Sequence, residues 1–333
     1  MASAAAMRAL KLALLILALL PTIYLREQKR RVKLPYPPIM AVDLMPALRA
    51  GGIPDTGTLH LVGAWRFVSK GRNLGTFSGL ARTDGGFVTV GDRGAVMWFS
   101  RPDRPGPWSL RLTRLVPLDW RKVRFPTDAE SVAIVPGSCD LVVGYEDAPV
   151  LERYSPDLAR RTQIAVPALA EWPPNQGPEA MTLLADRRMV IVAENYARWF
   201  DRTRHVGLIF PGVPRSGEAP ARFELSLPAG YRPSELAQMP DGRLLVLGRH
   251  FSITGFRSLI AIFAVRDVRP GAKITPKVIA RIDDQRIRDN YEGMTVTREA
   301  DGSQLVWLIA DSNEMVWAQR TLVLKLRIGP EAN

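Results

Sequence analysis

Five short stretches of the chain set a polar residue, in four cases glutamate, at the head of an apolar run: Ser78 in FSGLART, Glu130 in AESVAI, Glu179 in PEAMTLL, Glu235 in SELAQM and Glu292 in YEGMTV. After a turn, a second apolar run returns each time to another polar position: Asp92 in GDRG, Tyr145 with Glu146, Glu194, Arg249 with His250, and Asp311. Carboxylates gathered around one cavity repel one another unless cations, protons or basic neighbours offset them. Two chemistries suit such a set. In the first, Asp92, Glu130, Glu292 and Asp311 hold a hard cation such as Ca²⁺ or Mg²⁺, which polarises a phosphate or ester for attack by water. Glu179, Glu194 and His250 then supply acid and base, and Arg93 and Arg249 hold the anion through forked donors. In the second, the carboxylates pair with the same basic residues and with strand-end amides, giving a polar structural channel. His250 reads as an acid, base or ligand or else as a satisfied loop residue, whereas His60 and His205 read as structural.

The elements that must position these groups are hairpins. Asn290 to Asn313 forms one complete unit: Glu292, an apolar run, an Asp-Gly turn at Asp301 and Gly302, and a second apolar run ending at Asp311. Strand, Asp-Gly, strand is a strong hairpin signal, and Asp84, Asp241 and Asp301 read as turn formers. The unit recurs at intervals of about 50 to just under 60 residues, a period suited to a toroidal repeat. Two further apolar segments follow each hairpin: Ala95–Ser100 and Leu110–Val116, Val150–Tyr154 and Thr162–Val166, His205–Phe210 and Ala221–Leu227, Leu259–Val265 and Lys277–Ile282. The last unit has only Thr321–Ile328, so the unpartnered strand Leu59–Ser69 is expected to complete it and close the ring. The fold class is therefore all-β, a β-propeller of four-stranded blades, five in number, or six if an irregular blade hides in a long loop. A β-sandwich is the plainer alternative, but it gives no reason for an acid at the head of successive first strands.

Composition agrees with many turns: 27 Pro and 26 Gly lie within 333 residues that are 47% hydrophobic. Half of the formal charge of +12 belongs to the N-terminal segment, in Arg8, Lys11, Arg26, Lys29, Arg30, Arg31 and Lys33 against Glu27. Elsewhere basic residues are scattered among acids, so nucleic acid is not an expected partner. Arg8 and Lys11 precede the apolar core Leu12–Leu20, of signal-peptide length, with no small-residue cleavage site after it. Residues 1–25 are thus expected to be an export signal or uncut anchor, the alternative being an anchor with the body on the cytoplasmic side because basic residues follow. Residues 26–58 read as a Pro-rich linker, 59–328 as the propeller and 329–333 as a tail. The single cysteine, Cys139, excludes an internal disulfide framework. A Gly-x-Ser-x-Gly elbow, a His-Glu-x-x-His pair, a phosphate-binding Gly-Lys-Ser/Thr loop and a dinucleotide fingerprint are all missing. Trp199 and Phe200 are placed to cover the channel mouth or to pack in a loop.

Taken together, FSGL…DGGFVTVGDRG, TDAESVAI, GPEAMTLL…VAEN, RPSELAQMPDGRLLVLGRHFS, NYEGMTVTREADG, VWLIADSN and QRTLVLKLRI resemble the phytase-like domain family, the "esterase-like activity of phytase" family, over about Leu59 to Ile328. The resemblance implies a β-propeller, usually an exported bacterial protein, and by analogy with β-propeller phytases a calcium-assisted phosphoester hydrolysis. It carries over to Asp92 and Arg93, Asp128 and Glu130, Glu179, Glu194, Arg249, Glu292, and Asp311 with Asn313. The chain departs from the family at Ser131, where a Gly commonly follows the Glu, and at Ser312, where a second Asp is common. The expectation is an exported, periplasmic propeller, anchored to the inner membrane if the signal stays uncut, that hydrolyses a small anionic phosphoester or ester with a divalent cation, Ca²⁺ first. A non-catalytic binding or scaffold propeller and a lactonase-type hydrolase are the alternatives.

Overall fold

The computed structural model describes residues 38–69, 75–91, 94–105, 108–115, 128–146, 148–173, 177–194, 203–312 and 319–329. The chain opens with β1 (Ile39–Asp43), the short helix α1 (Met45–Ala50) and β2 (Leu59–Ser69). Four-stranded antiparallel sheets follow. Blade 1 is β3 (Phe77–Thr83), β4 (Gly86–Gly91), β5 (Ala95–Phe99) and β6 (Leu110–Arg114). Blade 2 is β7 (Ala129–Ile134), β8 (Leu141–Tyr145), β9 (Val150–Tyr154) and β10 (Arg161–Ala165). Blade 3 contains β11 (Ala180–Leu183), β12 (Met189–Val192), β13 (Arg204–Phe210) and β14 (Ala221–Ser226). Blade 4 is β15 (Arg232–Gln238), β16 (Arg243–Ser252), β17 (Gly255–Ala264) and, after a two-residue strand β18 (Lys273–Ile274), β19 (Lys277–Ile282). Blade 5 is β20 (Asn290–Arg298), β21 (Gln304–Asp311) and β22 (Leu322–Ile328), completed by β2 and β1.

The protein is thus an all-β propeller of five blades. The first strands line the centre in the order β3, β7, β11, β15, β20 and back to β3. Alternating side chains bury both faces of each blade, and five apolar clusters fill the five gaps between neighbours. Phe67, Phe87, Phe99 and Trp307 fill the gap between blades 5 and 1; Val88, Val90, Val132 and Val143 that between 1 and 2. This explains why β4, β8 and β12 are buried at every position instead of alternating as one-sided strands do.

Closure follows the expected route. β2 pairs antiparallel with β22, Leu59 opposite Ile328 and Arg66 opposite Leu322, so the two ends of the propeller sequence share one sheet and blade 5 has no open edge between them. Two strands exceed the four-per-blade pattern. β1 adds to β2, with Ile39 opposite Ser69, and α1 buries Met45 and Leu48 against the cluster between blades 4 and 5. Residues 38–58, expected to be irregular linker, therefore contain a strand and a helix. β18 pairs parallel with β14, tying the outer part of blade 4 to blade 3.

The segment 1–37, with Leu12–Leu20, lies outside the described residues, as do Asp92, Arg93, Trp199, Phe200 and Asn313. Among the described residues no helix is long and apolar enough to cross a membrane.

Candidate functional site

Ladder pairing is broken by one residue near the start of four inner strands: between Ser78 and Leu80, Ala129 and Ser131, Pro233 and Glu235, and Tyr291 and Gly293. The inserted residues are Gly79, Glu130, Ser234 and Glu292. A bulge leaves its extra residue unpaired and re-aims the side chain, which is how Glu130 and Glu292 come to the mouth of the channel. Gly79 has φ of +61°, and a Cβ there would lie 2.9 Å from the Val132 amide nitrogen. Only glycine suits both conditions, and the tight approach it permits leaves the Ser78 hydroxyl free to donate to Glu292 Oε2 at 3.1 Å.

Arg249, from the end of β16, is the hub of the mouth. Its Nη2 donates to Glu179 Oε1 and Oε2 at 3.1 and 3.2 Å and to Glu194 Oε1 at 3.0 Å. Its Nη1 donates to Asn290 Oδ1 at 3.1 Å and to Glu292 Oε1. Asn290 Nδ2 donates to the same Glu292 oxygen at 2.8 Å, and Arg232 Nη1 reaches Glu194 Oε1 at 3.2 Å. Burial alone would depress the Arg249 guanidinium, but Glu179 and Glu194 outweigh it and hold the charge more firmly than usual.

The same arginine sets two carboxyls apart. Glu179 is pushed well above the usual carboxylate range, first by burial and then, against the pull of Arg249, by the charges of Glu194 and Glu130 and a hydrogen bond shared with Glu194. Burial acts on Glu194 in the same direction, yet Arg249 and Arg232 together hold it below its ordinary value. The two environments therefore push the pair apart, Glu179 toward holding a proton and Glu194 toward losing one. Carboxyls pushed apart in this way are the arrangement that general acid and base chemistry uses.

On the blade 2 side, Asp128, Glu130 and Glu146 converge, with one carboxylate oxygen from each lying within 4.8 Å of the others. Strand pairing enforces this, since the Glu146 amide donates to the Asp128 carbonyl at 3.0 Å. The pKa of Glu130 is raised from 4.5 to about 8 by burial and by the charges of Asp128 and Glu146, only partly opposed by Arg249 and a hydrogen bond to Ser78. An all-oxygen, all-carboxylate donor set is what a hard divalent cation takes.

Several expected residues fall elsewhere. Of the three expected cation ligands among the described residues, Glu130, Glu292 and Asp311, only Glu130 joins the converging trio. Glu292 is ion-paired to Arg249, Asp311 Oδ1 accepts the Thr76 amide, and Asp92 lies outside the described residues. Arg249, expected to hold a substrate anion, holds three carboxylates instead. His250 follows Arg249 on the strand, so its ring points to the opposite face, where it packs against Tyr231 with centroids 5.3 Å apart. It does not join Glu179 and Glu194. Tyr145 turns into blade 2, where its hydroxyl donates to Glu152 at 2.8 Å, leaving the mouth position to Glu146. Glu235 is not equivalent to the other glutamates. Because the extra residue in its strand is Ser234, it sits opposite Leu247 in the ladder, a register shared with Ser131, Ala180 and Gly293. Its carboxylate accepts the amides of Leu236 at 2.9 Å and Leu80 at 3.2 Å. It thereby closes the channel floor beneath the mouth and caps a cavity of about 480 Å³ that runs to the other end between Leu80, Val132, Met181 and Met294. Arg232 and Asn290 escaped sequence reasoning. The pattern in which a position two residues upstream of each glutamate also faces the mouth, as Asp128 does for Glu130 and Asn290 for Glu292, is the signal that would have found Asn290.

Comparison with known proteins bears on this geometry at the level of fold and family. No curated protein matches the chain. Among solved structures, the PQQ-bound aldose sugar dehydrogenase of Streptomyces coelicolor is similar at 12% identity and a TM-score of 0.46, over 82% of this chain and 99% of that one. The endo-arabinase of Bacteroides thetaiotaomicron is similar at 11% identity and 0.48, over 76% and 94%. A mannose phosphorylase of Leishmania mexicana is similar at 11% and 0.45, over 86% and 92%. The sequence model of the phytase-like family, described as esterase-like activity of phytase, matches residues 72–314, which span every inner strand and every mouth residue named above, and the chain belongs to that family.

Proposed function

We propose that the mouth is the active site of a cation-assisted hydrolase acting on a small anionic phosphoester or ester. The observation that carries this reading is the convergence of Asp128, Glu130 and Glu146, one carboxylate oxygen from each lying within 4.8 Å of the others, beside the Glu179 and Glu194 pair held by Arg249. Carboxylates brought this close in a half-buried site repel one another unless protons, a cation or basic neighbours offset them. Asp128, Glu130 and Glu146 are the residues that would hold the ion, with Ca²⁺ favoured by a flexible all-carboxylate set. The ion supplies positive charge where the anionic group of the substrate binds. Arg249 fixes Glu179 and Glu194 side by side, so that ionised Glu194 serves as base toward water and protonated Glu179 as acid toward the leaving oxygen. Arg232 on the rim, half-exposed beyond its contact with Glu194, is the described cation best placed for an incoming anion.

Saturation of Arg249 by its partners favours a second reading, a binding or scaffold propeller whose mouth is a static polar network. Calorimetric titration of the full chain with Ca²⁺ separates the two, followed by assays on phosphoesters, carboxyl esters and lactones. Saturable heat that disappears in Glu130→Gln, with turnover lost in Glu194→Gln, is expected for the hydrolase. Absence of both heat and turnover leaves the scaffold reading. The N-terminal Leu12–Leu20 core supports an exported, periplasmic location with retention at the inner membrane; recovery of the chain in the cytosolic fraction after gentle lysis would sink that assignment.

A further inference from the structure

The hairpin between β16 and β17 rises past the mouth and ends in a two-residue turn, Ile253 and Thr254, flanked by the pairs Ser252–Gly255 and Phe251–Phe256. Its side chains run against the usual rule for a tip. Phe251 is 69% exposed and Ile253 104%, the two largest exposures among the described large apolar residues. Phe251 packs at a tilt against Phe256 with centroids 4.9 Å apart, and with Ile253 at the tip the three form one convex apolar knob. Basic groups surround its base. Arg288 Nη2 donates to the Thr254 carbonyl at 2.7 Å and braces the turn, while exposed Arg257 pairs across the hairpin with His250 on the opposite face.

Topology puts another feature at the same end. β1 begins at Ile39 opposite Ser69, the last residue of β2. β2 runs toward the end of the ring at which β3 starts, where Ser78 meets Glu292. The described chain therefore enters the propeller, at Ile39, at its mouth end, the end from which the knob projects.

We propose that this knob is a bilayer contact, with Ile253 and Phe251 entering the acyl region of an anionic membrane and Arg257 and Arg288 meeting lipid phosphates at the interface. Apolar area flanked by cations is the pattern of shallow interfacial binding, whose strength adds the two contributions. A protein partner fits less well, because stable protein interfaces bury roughly 1,200 Å² or more and a three-residue convex tip offers a fraction of that. The contact would turn the mouth toward the membrane surface, so that anionic substrates reach it from the lipid side. This inference stands on the hairpin and chain entry, independently of whether the mouth hydrolyses anything.

The sole cysteine makes the test direct. Cys139 is exposed in the turn between β7 and β8, at the end of the ring away from the mouth. The full chain is labelled with an environment-sensitive fluorophore either at native Cys139 or, in Cys139→Ser with Ile253→Cys, at the tip. On vesicles of phosphatidylethanolamine and phosphatidylglycerol, emission from position 253 is expected to shift to the blue and to be quenched by lipid-borne quenchers, with position 139 unchanged. Arg257→Glu is expected to weaken the response several-fold. The proposal is overturned by an unchanged label at 253, by equal changes at both positions, or by a label already shielded from water before lipid is added, which would mean that a loop of the chain or a protein partner covers the knob.

Discussion

The carboxylate of Glu235 in blade 4 accepts the backbone amide of Leu80 in blade 1 at 3.2 Å, across the channel between two blades that are not neighbours. It also receives the amides of Leu236 and Met181, so three inner strands lean on one side chain. An inner strand is a sheet edge whose channel-facing N–H groups have no ladder partner, and a buried N–H without an acceptor is costly. Glu235 supplies that acceptor at the point where water is excluded. Burial drives its pKa well above the ordinary range against the opposing pull of the three amides.

Glu235→Gln keeps an acceptor oxygen and is expected to melt within a few degrees of the parent. Glu235→Leu removes every acceptor at similar size and leaves buried donors that cost about 1–3 kcal/mol each. Chemical denaturation compares them; equal stability of the Leu variant would show that the channel floor is held by other contacts.

The Arg249 hub makes an asymmetric prediction for its two partners. Glu179 is the member driven toward holding a proton, so Glu179→Gln should leave stability nearly unchanged while lowering any turnover that needs an acid. Glu194→Gln removes the anion that faces both Arg249 and Arg232 and should destabilise. Arg249→Met strands carboxylates in a buried site, a loss of about 3–5 kcal/mol that eases as the pH falls and they take up protons. In infrared difference spectra one protonated-carboxyl component is expected to disappear in Glu179→Gln and to survive in Glu194→Gln, alongside those of Glu130 and Glu235, whose carboxyls are driven up as well.

Much of this architecture was legible in the chain because it rests on repeating local signals. Asp241 and Asp301 each accept the amide two residues on, at 3.0 and 2.9 Å, and such Asx turns announce hairpins directly. Val150–Tyr154 and Lys277–Ile282 were expected with the bounds they have. What escaped depends on single-residue backbone events. The bulge at Ser234 moves Glu235 out of the glutamate ring, yet nothing in RPSELAQ distinguishes it from an unbroken strand. His250 was grouped with Arg249 by adjacency, whereas strand alternation separates them. Ile39–Asp43 is too short, and too close to Pro37 and Pro38, to signal a strand without the β2 edge that accepts it.

Ring closure predicts where the chain can be cut. A protein beginning at Leu59 keeps the β2–β22 ladder but loses β1 and the burial of Met45 and Leu48, so it should fold with a lowered melting temperature. One beginning at Thr76 lacks the strand that closes blade 5 and exposes Val323 and Trp307, and it should aggregate or remain unfolded. Gel filtration with far-ultraviolet dichroism checks both, and a well-folded product from Thr76 onward would contradict the closure argument.

Glu130 ties stability to pH and to a cation with opposite signs. Its carboxyl titrates near 8 in the folded chain against an ordinary 4.5, so between those values the folded protein holds a proton that the unfolded chain has released. The stabilisation is fully present below about 4.5 and is lost as pH rises through 8, at up to about 1.4 kcal/mol per pH unit. Without divalent cation, melting temperature should therefore decline from pH 5 to pH 8, and Glu130→Gln should reduce that decline, leaving the share of Glu179 and Glu235, and be the more stable protein at pH 8. Ca²⁺ competes with the proton for the same oxygens, so its stabilising effect should grow with pH in the parent chain and shrink in the variant. A melting temperature that stays flat from pH 5 to 8 with and without Ca²⁺ would mean that Asp128, Glu130 and Glu146 neither share a proton nor hold an ion.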